Sequence, residues 1–362
     1  MTIYWPGVLS YVFLLYLVLV SIFFIASSLP RYKPRQFKTV NLAVRVIIPC
    51  RGLDLELKTN LECIKNQDYS NFKVVAVVDS EDDPATQAIT DAGLDHLVAG
   101  FQEYSGSGKV KAIATAITKA TEDVIVIADS DITVRRDWLS FLVAPFSDPS
   151  YGVSTTFPVF KPVAGFWSRF KSVWGQIGQG MMETSLTRFG WGGSLAFRKS
   201  LIEGKLEEFL GMVSDDTFLT RKCNEAGLAI YYEPRAAPYI LSNEDFSRFS
   251  EWSNRQTALL GTTGRGIITV GIAIYLNQCL LYVSAIALTI IVSPLYALFL
   301  APYALAVIVS FRRIPFRFPL LVPGTFLLPF VYVTNLITAS RMKEITWRDR
   351  TYSLHGGGKT KV

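Results

Sequence analysis

The sequence predicts a Rossmann-like α/β domain on a mainly parallel sheet, with transmembrane α-helices at both ends of the chain. Three observations predict it. Long uncharged apolar blocks lie toward both termini. Between them, short β-branched runs alternate with stretches of helical periodicity. Two of those runs open directly onto carboxylates, Phe72–Val78 onto Asp79 and Val124–Ala128 onto Asp129. Alternating strand and helix argues for a parallel sheet with helices on its faces, and an unbroken β-branched run for a strand buried on both.

The anchors come first. Half of the 362 residues are apolar, but unevenly so. Residues 7–29 carry no charge and exceed the ~20 residues that a spanning helix needs. They lack the basic start and small-residue cleavage site of a signal peptide, which predicts a retained anchor over 1–30. A basic linker, 31–43, follows with Arg31, Lys33, Arg35 and Lys38. By the positive-inside rule it places the next domain in the cytoplasm. A second uncharged block, 266–310, breaks at Ser293-Pro294 and predicts helices over 267–292 and 294–310. Residues 318–340 predict one more, closing a membrane region of 267–340. The tail, 341–362, is basic again, with Arg341, Lys343, Arg348 and Arg350. Three full crossings would put that tail outside, so segment count and charge rule disagree unless one segment is re-entrant or interfacial.

Composition excludes several functions. The net charge of +6 sits largely beside membrane segments, so anionic headgroups account for it better than nucleic acid. The membrane segments hold no charged residue to line a transport path. Cys50, Cys63, Cys223 and Cys279 form no CxxC spacing and read as reduced, small apolar residues. His96 and His355 are the only histidines, too few for a His-based zinc site and poorly suited to a Ser-His-Asp triad.

The domain between the anchors, 44–245, is of ordinary single-domain size. Strands are expected at 44–48, ending at Pro49, then at Phe72–Val78 and Val124–Ala128. Helices are expected at 55–66, 84–92 and 109–120. Ligands of open α/β sheets collect at the carboxyl ends of the strands. There stand Asp79, Glu81, Asp82 and Asp83, then Asp129 and Asp131. Adjacent carboxylates suit Mg²⁺ or Mn²⁺ bridging to phosphate oxygens; Asp-Ser-Asp also makes ordinary Asx turns, and 79–83 also reads as a solvated acidic loop. Ser105-Gly106-Ser107-Gly108-Lys109 puts glycines and a cation before a helix, fit for a diphosphate or for a plain loop. Gly192-Gly193 permits close backbone approach. Asp215 and Asp216 open a helix that Gly227 stops; capping is the default role for Asp215, and a carboxylate in a cleft can also be a general base. Residues 159–191 mix Phe160, Lys161, Phe166, Trp167, Arg169, Phe170, Lys171 and Trp174, which fits either a membrane-interface segment or a core helix with snorkelling cations.

Taken in order, these pieces resemble the family-2 glycosyltransferases with a GT-A fold. Asp79-Ser80-Glu81-Asp82-Asp83-Pro84-Ala85 resembles the acidic-loop element of the ceramide glucosyltransferase and hopanoid glycosyltransferase branch. Trp347-Arg348-Asp349-Arg350-Thr351-Tyr352 resembles its Trp-Arg-Gly-Arg-x-Tyr tail, with Asp349 where Gly is usual. The resemblance implies a cytoplasmic GT-A domain that moves a sugar from a nucleotide sugar, first of all a UDP-sugar, to a lipid hydroxyl with inversion. It implies Asp216 as general base, Asp131 as ligand of Mg²⁺ or Mn²⁺, and Asp79 and Asp83 on base and ribose. Asp129 would lie near the nucleotide sugar, with Pro49, Arg51, Lys109, Gly193, Arg255 and Gln256 completing that set. Arg255-Gln256 falls at the family's Gln/Arg-x-x-Arg-Trp element, but Leu259-Leu260 replaces Arg-Trp, which argues against a processive polysaccharide synthase. Asp215, Trp252, Trp347 and Arg348 would touch acceptor or diphosphate, with Arg265 a further substitute. The expected partners are the nucleotide sugar, a membrane lipid acceptor and the bilayer, in an interface segment 246–266 and the helices beyond. The alternatives are a polyprenyl-phosphate sugar synthase and a non-catalytic membrane scaffold.

Overall fold

The computed structural model describes residues 5–29, 32–100, 106–261, 265–347 and 350–354. The chain forms two compact units, one built on sheets (Tyr32–Val163, Ile177–Asn243, Met342–Val362) and one helical (Met1–Arg31, Ala164–Gln176, Glu244–Arg341).

Among the described residues ten strands make the two larger sheets of the first unit: β1 (Val44–Pro49), β2 (Phe72–Val78), β3 (His96–Val98), β4 (Val124–Ala128), β5 (Ile132–Thr133), β6 (Tyr151–Thr155), β7 (Val159–Pro162), β8 (Ser194–Arg198), β9 (Ala229–Tyr232) and β10 (Tyr239–Ser242). Seven form one sheet in the order β3-β2-β1-β4-β8-β6-β9. Its pairs are parallel except at β8, which runs antiparallel to both β4 and β6. The expected mainly parallel α/β fold is present, with one reversed strand inserted in its middle. β4 reads Val-Ile-Val-Ile-Ala and every residue of it is buried, as a central strand covered on both faces requires. The helix Gly108–Ile117 packs on β1 and β2. Its Val110, Ile113 and Ile117 join Ile47, Val77, Ile125, Ile127, Phe197 and Phe218 in one buried core.

Register explains why the acidic loops meet. Pro49 lies opposite Val77 and Ile47 opposite Ile127. The residues just beyond each strand therefore leave on one edge: Arg51, Asp79 and Asp129. Ser194 at the start of β8 lies opposite Ala128, so Gly192-Gly193 arrives at that same edge from the opposite direction. A smaller sheet, β5-β10-β7, adjoins in sequence. The tail adds a hairpin, β11 (Glu344–Trp347) with β12 (Arg350–Ser353), in which buried Ile345 faces buried Tyr352.

Among the described residues the helical unit holds four helices long and apolar enough to cross a membrane: Leu9–Ser28, Gly266–Ile291, Pro294–Arg313 and Leu321–Arg341. They answer the four expected segments. The third begins as a 3₁₀ turn, Pro294–Leu300, and becomes α-helical only from Ala301. The segment 159–191 is not one interface stretch. Gly165, at φ +80°, separates β7 from the helix Phe166–Trp174, and Gly175 caps that helix before Gln176–Met182. Only Phe166–Trp174 groups with the membrane helices, where Val173 packs with Ile314 and Leu321. Lys171 does not snorkel. It is buried, 2.6 Å from Glu244 Oε1 and 4.3 Å over the Trp252 ring, because a cation on an inward face needs a carboxylate and an aromatic face to replace water.

Candidate active site

The site forms at the carboxyl edge of the large sheet, in two clusters. In the first, Gly52 takes φ +67° just past β1, and its N–H donates to Asp83 Oδ1 at 2.9 Å. The same oxygen accepts from Ala85 N at 2.9 Å, opening the helix Ala85–Asp91. One oxygen of Asp83 thus ties two loops together. Asp79 Oδ2 lies 2.9 Å from Arg350 Nη2 and 3.8 Å from Arg51 Nε. Pro49 is the last residue of β1 and lies two residues before Arg51.

The second cluster centres on Lys109. Its Nζ lies 2.8 Å from Asp129 Oδ1, 3.4 Å from Asp215 Oδ1 and 3.1 Å from the Gly192 carbonyl. Asp129 N donates to the Gly193 carbonyl at 3.0 Å, which fixes the glycine turn to the end of β4. Burial alone would pull the Lys109 pKa down, but the carboxylates of Asp129, Asp215 and Asp216 outweigh it and raise it. The three carboxylates thus favour the charged ammonium. Burial pushes the Asp215 carboxyl up to about 7, against the pull of Lys109 and with help from the charges of Asp216 and Asp129. Among the described residues no donor reaches Asp215 Oδ2. A Cβ at Gly192 would stand 2.5 Å from that oxygen, so only glycine fits above it.

Asp216 sits half-buried in the first turn of the helix Asp215–Glu225. Its Oδ1 accepts from Thr217 N at 2.8 Å and from the Ser214 hydroxyl, and its Oδ2 from Gly192 N at 3.3 Å. Those donors aim the carboxylate, and each oxygen keeps lone pairs beyond the bonds it accepts. The cap of this helix is Ser214, whose Oγ accepts from Thr217 N at 3.3 Å. Asp215, expected as a cap, turns inward to Lys109 instead, because Ser214 already serves the free N–H groups and an ammonium offers the stronger partner.

Asp131 lies half-buried in the turn between β4 and β5. Among the described residues no three His, Cys, Asp or Glu side chains gather as a metal cage. Asp129 and Asp131 fit a different mode, in which Mg²⁺ or Mn²⁺ takes one or two carboxylates and draws its other oxygens from substrate phosphates. Trp252, Arg255 and Gln256 lie on the helix Phe246–Gly261 of the helical unit. There Trp252 packs at 4.9 Å against Trp174, and Arg255 Nη1 is 3.3 Å from Glu251 Oε1. Of Trp347 and Arg265 only the backbone is described, and Arg348 lies outside the described residues. Two residues join the site beyond the expected set: Gly192, which acts through its backbone and is signalled by the Gly-Gly pair, and Arg350, which lies in the tail element and reaches Asp79 across 271 positions, a pairing that nothing in the sequence indicates.

A mainly parallel α/β sheet with carboxylates at its strand ends, a glycine turn and a charged helix start defines a GT-A-like glycosyltransferase. The chain matches glycosyl transferase family 21 over residues 11–360 and belongs to that family. Over 116 residues it is 35% identical to an N-acetylglucosaminyltransferase of Rhizobium leguminosarum bv. viciae. That match covers 31% of this chain and 27% of the relative, so the chain spans about a quarter of its length. In structure it is similar to a mannosyltransferase from Pyrobaculum calidifontis, solved with GDP-mannose and Mn²⁺, at a TM-score of 0.55 and 17% identity over 92% of this chain and 96% of the other. At that identity the likeness shows the fold. The family model and the fold agree: the chain is a member of a glycosyltransferase family with a GT-A-like α/β sheet.

Proposed function

We propose that this enzyme transfers a sugar, with inversion, from a UDP-sugar to the hydroxyl of a membrane lipid, as the ceramide glucosyltransferase branch does, with its sheet domain in the cytoplasm. The carrying observation is the cluster in which Gly192 joins two chemistries: its carbonyl holds Lys109 and its N–H holds Asp216. Four helices of membrane-spanning length on the same chain favour an acceptor that lives in the bilayer. The positive linker beside the first helix favours the cytoplasmic side.

In this reading Asp216 takes the proton of the acceptor hydroxyl as it attacks the sugar C1 from the face opposite the leaving group. Asp79, Asp83, Pro49 and Arg51 hold the nucleoside, and Lys109 fixes Asp129 beside the sugar diphosphate. Bound Mg²⁺ or Mn²⁺, held through Asp131 with Asp129 beside it, supplies charge to the departing diphosphate. The neighbour's Mn²⁺ supports that cofactor class.

The test incubates purified protein in detergent with a panel of radiolabelled nucleotide sugars and a total lipid extract. Label is expected in the organic phase. Asp216→Asn is expected to lower turnover by about 10²–10⁴-fold, the size of general-base catalysis, with nucleotide binding retained. Nucleotide binding that fell equally would remove Asp216 from the role of base. Full activity of that variant on polyprenyl phosphate would instead identify a polyprenyl-phosphate sugar synthase, whose nucleophile needs no base.

A further inference from the structure

The tail hairpin returns to the sheet unit at one point. Arg350 and Tyr352, two apart on β12, share a face by strand periodicity. Tyr352 is buried and Arg350 extends to Asp79, both side chains of that pair being at most 16% exposed. Backbone pairing of β11 with β12, closed by Leu354 N donating to the Lys343 carbonyl at 2.9 Å, fixes the strand that carries the guanidinium. Arg350 also lies against Gly108, the first residue of the helix Gly108–Ile117. A Cβ there would meet the tip of the guanidinium and stand 3.6 Å from Cζ, so a side chain at position 108 would push that group aside.

The charge count around Asp79 points to a ligand. Arg350 and Arg51 both approach this one carboxylate, and Lys111 lies within electrostatic reach of Asp79 and Arg350. A phosphate group would find three cationic side chains on this side of the site. We infer that Arg350 is a positioning residue for the donor nucleotide: it holds Asp79 and lies over Gly108, making the tail hairpin a wall of the site that binds a nucleoside diphosphate. The inference rests on the reading of Asp79 as a nucleotide contact and adds a part of the chain to that site.

The experiment titrates UDP alone against the full-length protein in detergent, then measures KM and kcat for the donor. Arg350→Ala is expected to weaken UDP binding by about 10–100-fold, the scale of a lost charge-assisted bond. Donor KM should rise in step while kcat stays within about threefold, with Arg350→Lys restoring part of the affinity. Gly108→Ala is a second probe that keeps every charge. Alanine favours a helix start over glycine, so this variant should be at least as heat-stable as the parent yet bind UDP more weakly. It decides the matter if Arg350→Ala fails to fold. UDP binding within twofold of the parent in folded Arg350→Ala or in Gly108→Ala overturns the inference and leaves the proposed function standing. A parent protein that binds neither UDP nor another nucleoside diphosphate overturns both.

Discussion

The two ends of the candidate site carry opposite charge balances, although one peptide step, Gly108 to Lys109, joins them. At the nucleotide end a single carboxylate, Asp79, stands among Arg51, Lys111 and Arg350. At the transfer end a single ammonium, Lys109, stands among Asp129, Asp215 and Asp216. In the proposed function a nucleotide diphosphate would bring its negative charge to the first end and a divalent ion its positive charge to the second. Away from the site, buried Lys171 is held by Glu244 and Arg45 by Glu122.

The comparison breaks most sharply if the acidic end needs no cation. Stripping divalent ions with EDTA is expected to reduce transfer by about 10²–10⁴-fold, the several kcal/mol that a metal supplies to a leaving group, and added Mn²⁺ or Mg²⁺ should restore it. Transfer at the parental rate in EDTA would mean that Lys109 alone balances the carboxylates. A smaller effect is expected from Lys109→Met, which leaves buried carboxylates without their ammonium. Removing one partner of a buried pair costs about 3–5 kcal/mol, and a melting curve in detergent reads it as a large drop in Tm. An unchanged Tm would show that the carboxylates are hydrated rather than enclosed.

The least effect belongs to a balanced pair. Arg45 grips Glu122 with two bonds, of 2.9 and 3.1 Å, on β1 well before its carboxyl end. Burial would raise the Glu122 pKa, but the Arg45 guanidinium outweighs it and lowers it. The folded state thus holds this carboxylate ionised more firmly than the unfolded chain does. Its contribution is complete above the ordinary glutamate pKa of about 4.3 and is lost as pH falls through the lowered value. Glu122→Gln should cost about 1–3 kcal/mol at pH 7, with the gap to the parent narrowing below about pH 4. A gap that stays constant with pH would assign the loss to packing.

Much of this was legible in the residues. β1, β2 and β4 announce themselves as apolar runs, and their parallel register brings Asp79 and Asp129 to one edge. β8 does not, because Ser194-Leu195-Ala196-Phe197-Arg198 lacks a β-branched run and its reversal comes from tertiary pairing. Asp215 looked like a cap since acids at helix starts usually are, but Ser214 one step earlier takes that place and burial redirects the carboxylate. The interface segment read as continuous because aromatic and basic residues run through it. Gly165 and Gly175 cut it, and local composition carries little information on which piece joins which unit. The nucleotide-sugar role of Arg255 and Gln256 and the acceptor or diphosphate contact of Trp252 come from the resemblance, and in the structure Trp252 packs on Trp174 and under Lys171.

The pairing of Asp79 with Arg350 has a consequence for how the enzyme is made. The carboxylate emerges from the ribosome early, and its partner follows 271 residues later, after the helices Gly266–Ile291, Pro294–Arg313 and Leu321–Arg341. A nascent chain can assemble every strand of the large sheet and still lack that contact until translation is nearly over. Products of premature termination would then carry the sheet's acidic loops without the contact between Asp79 and Arg350.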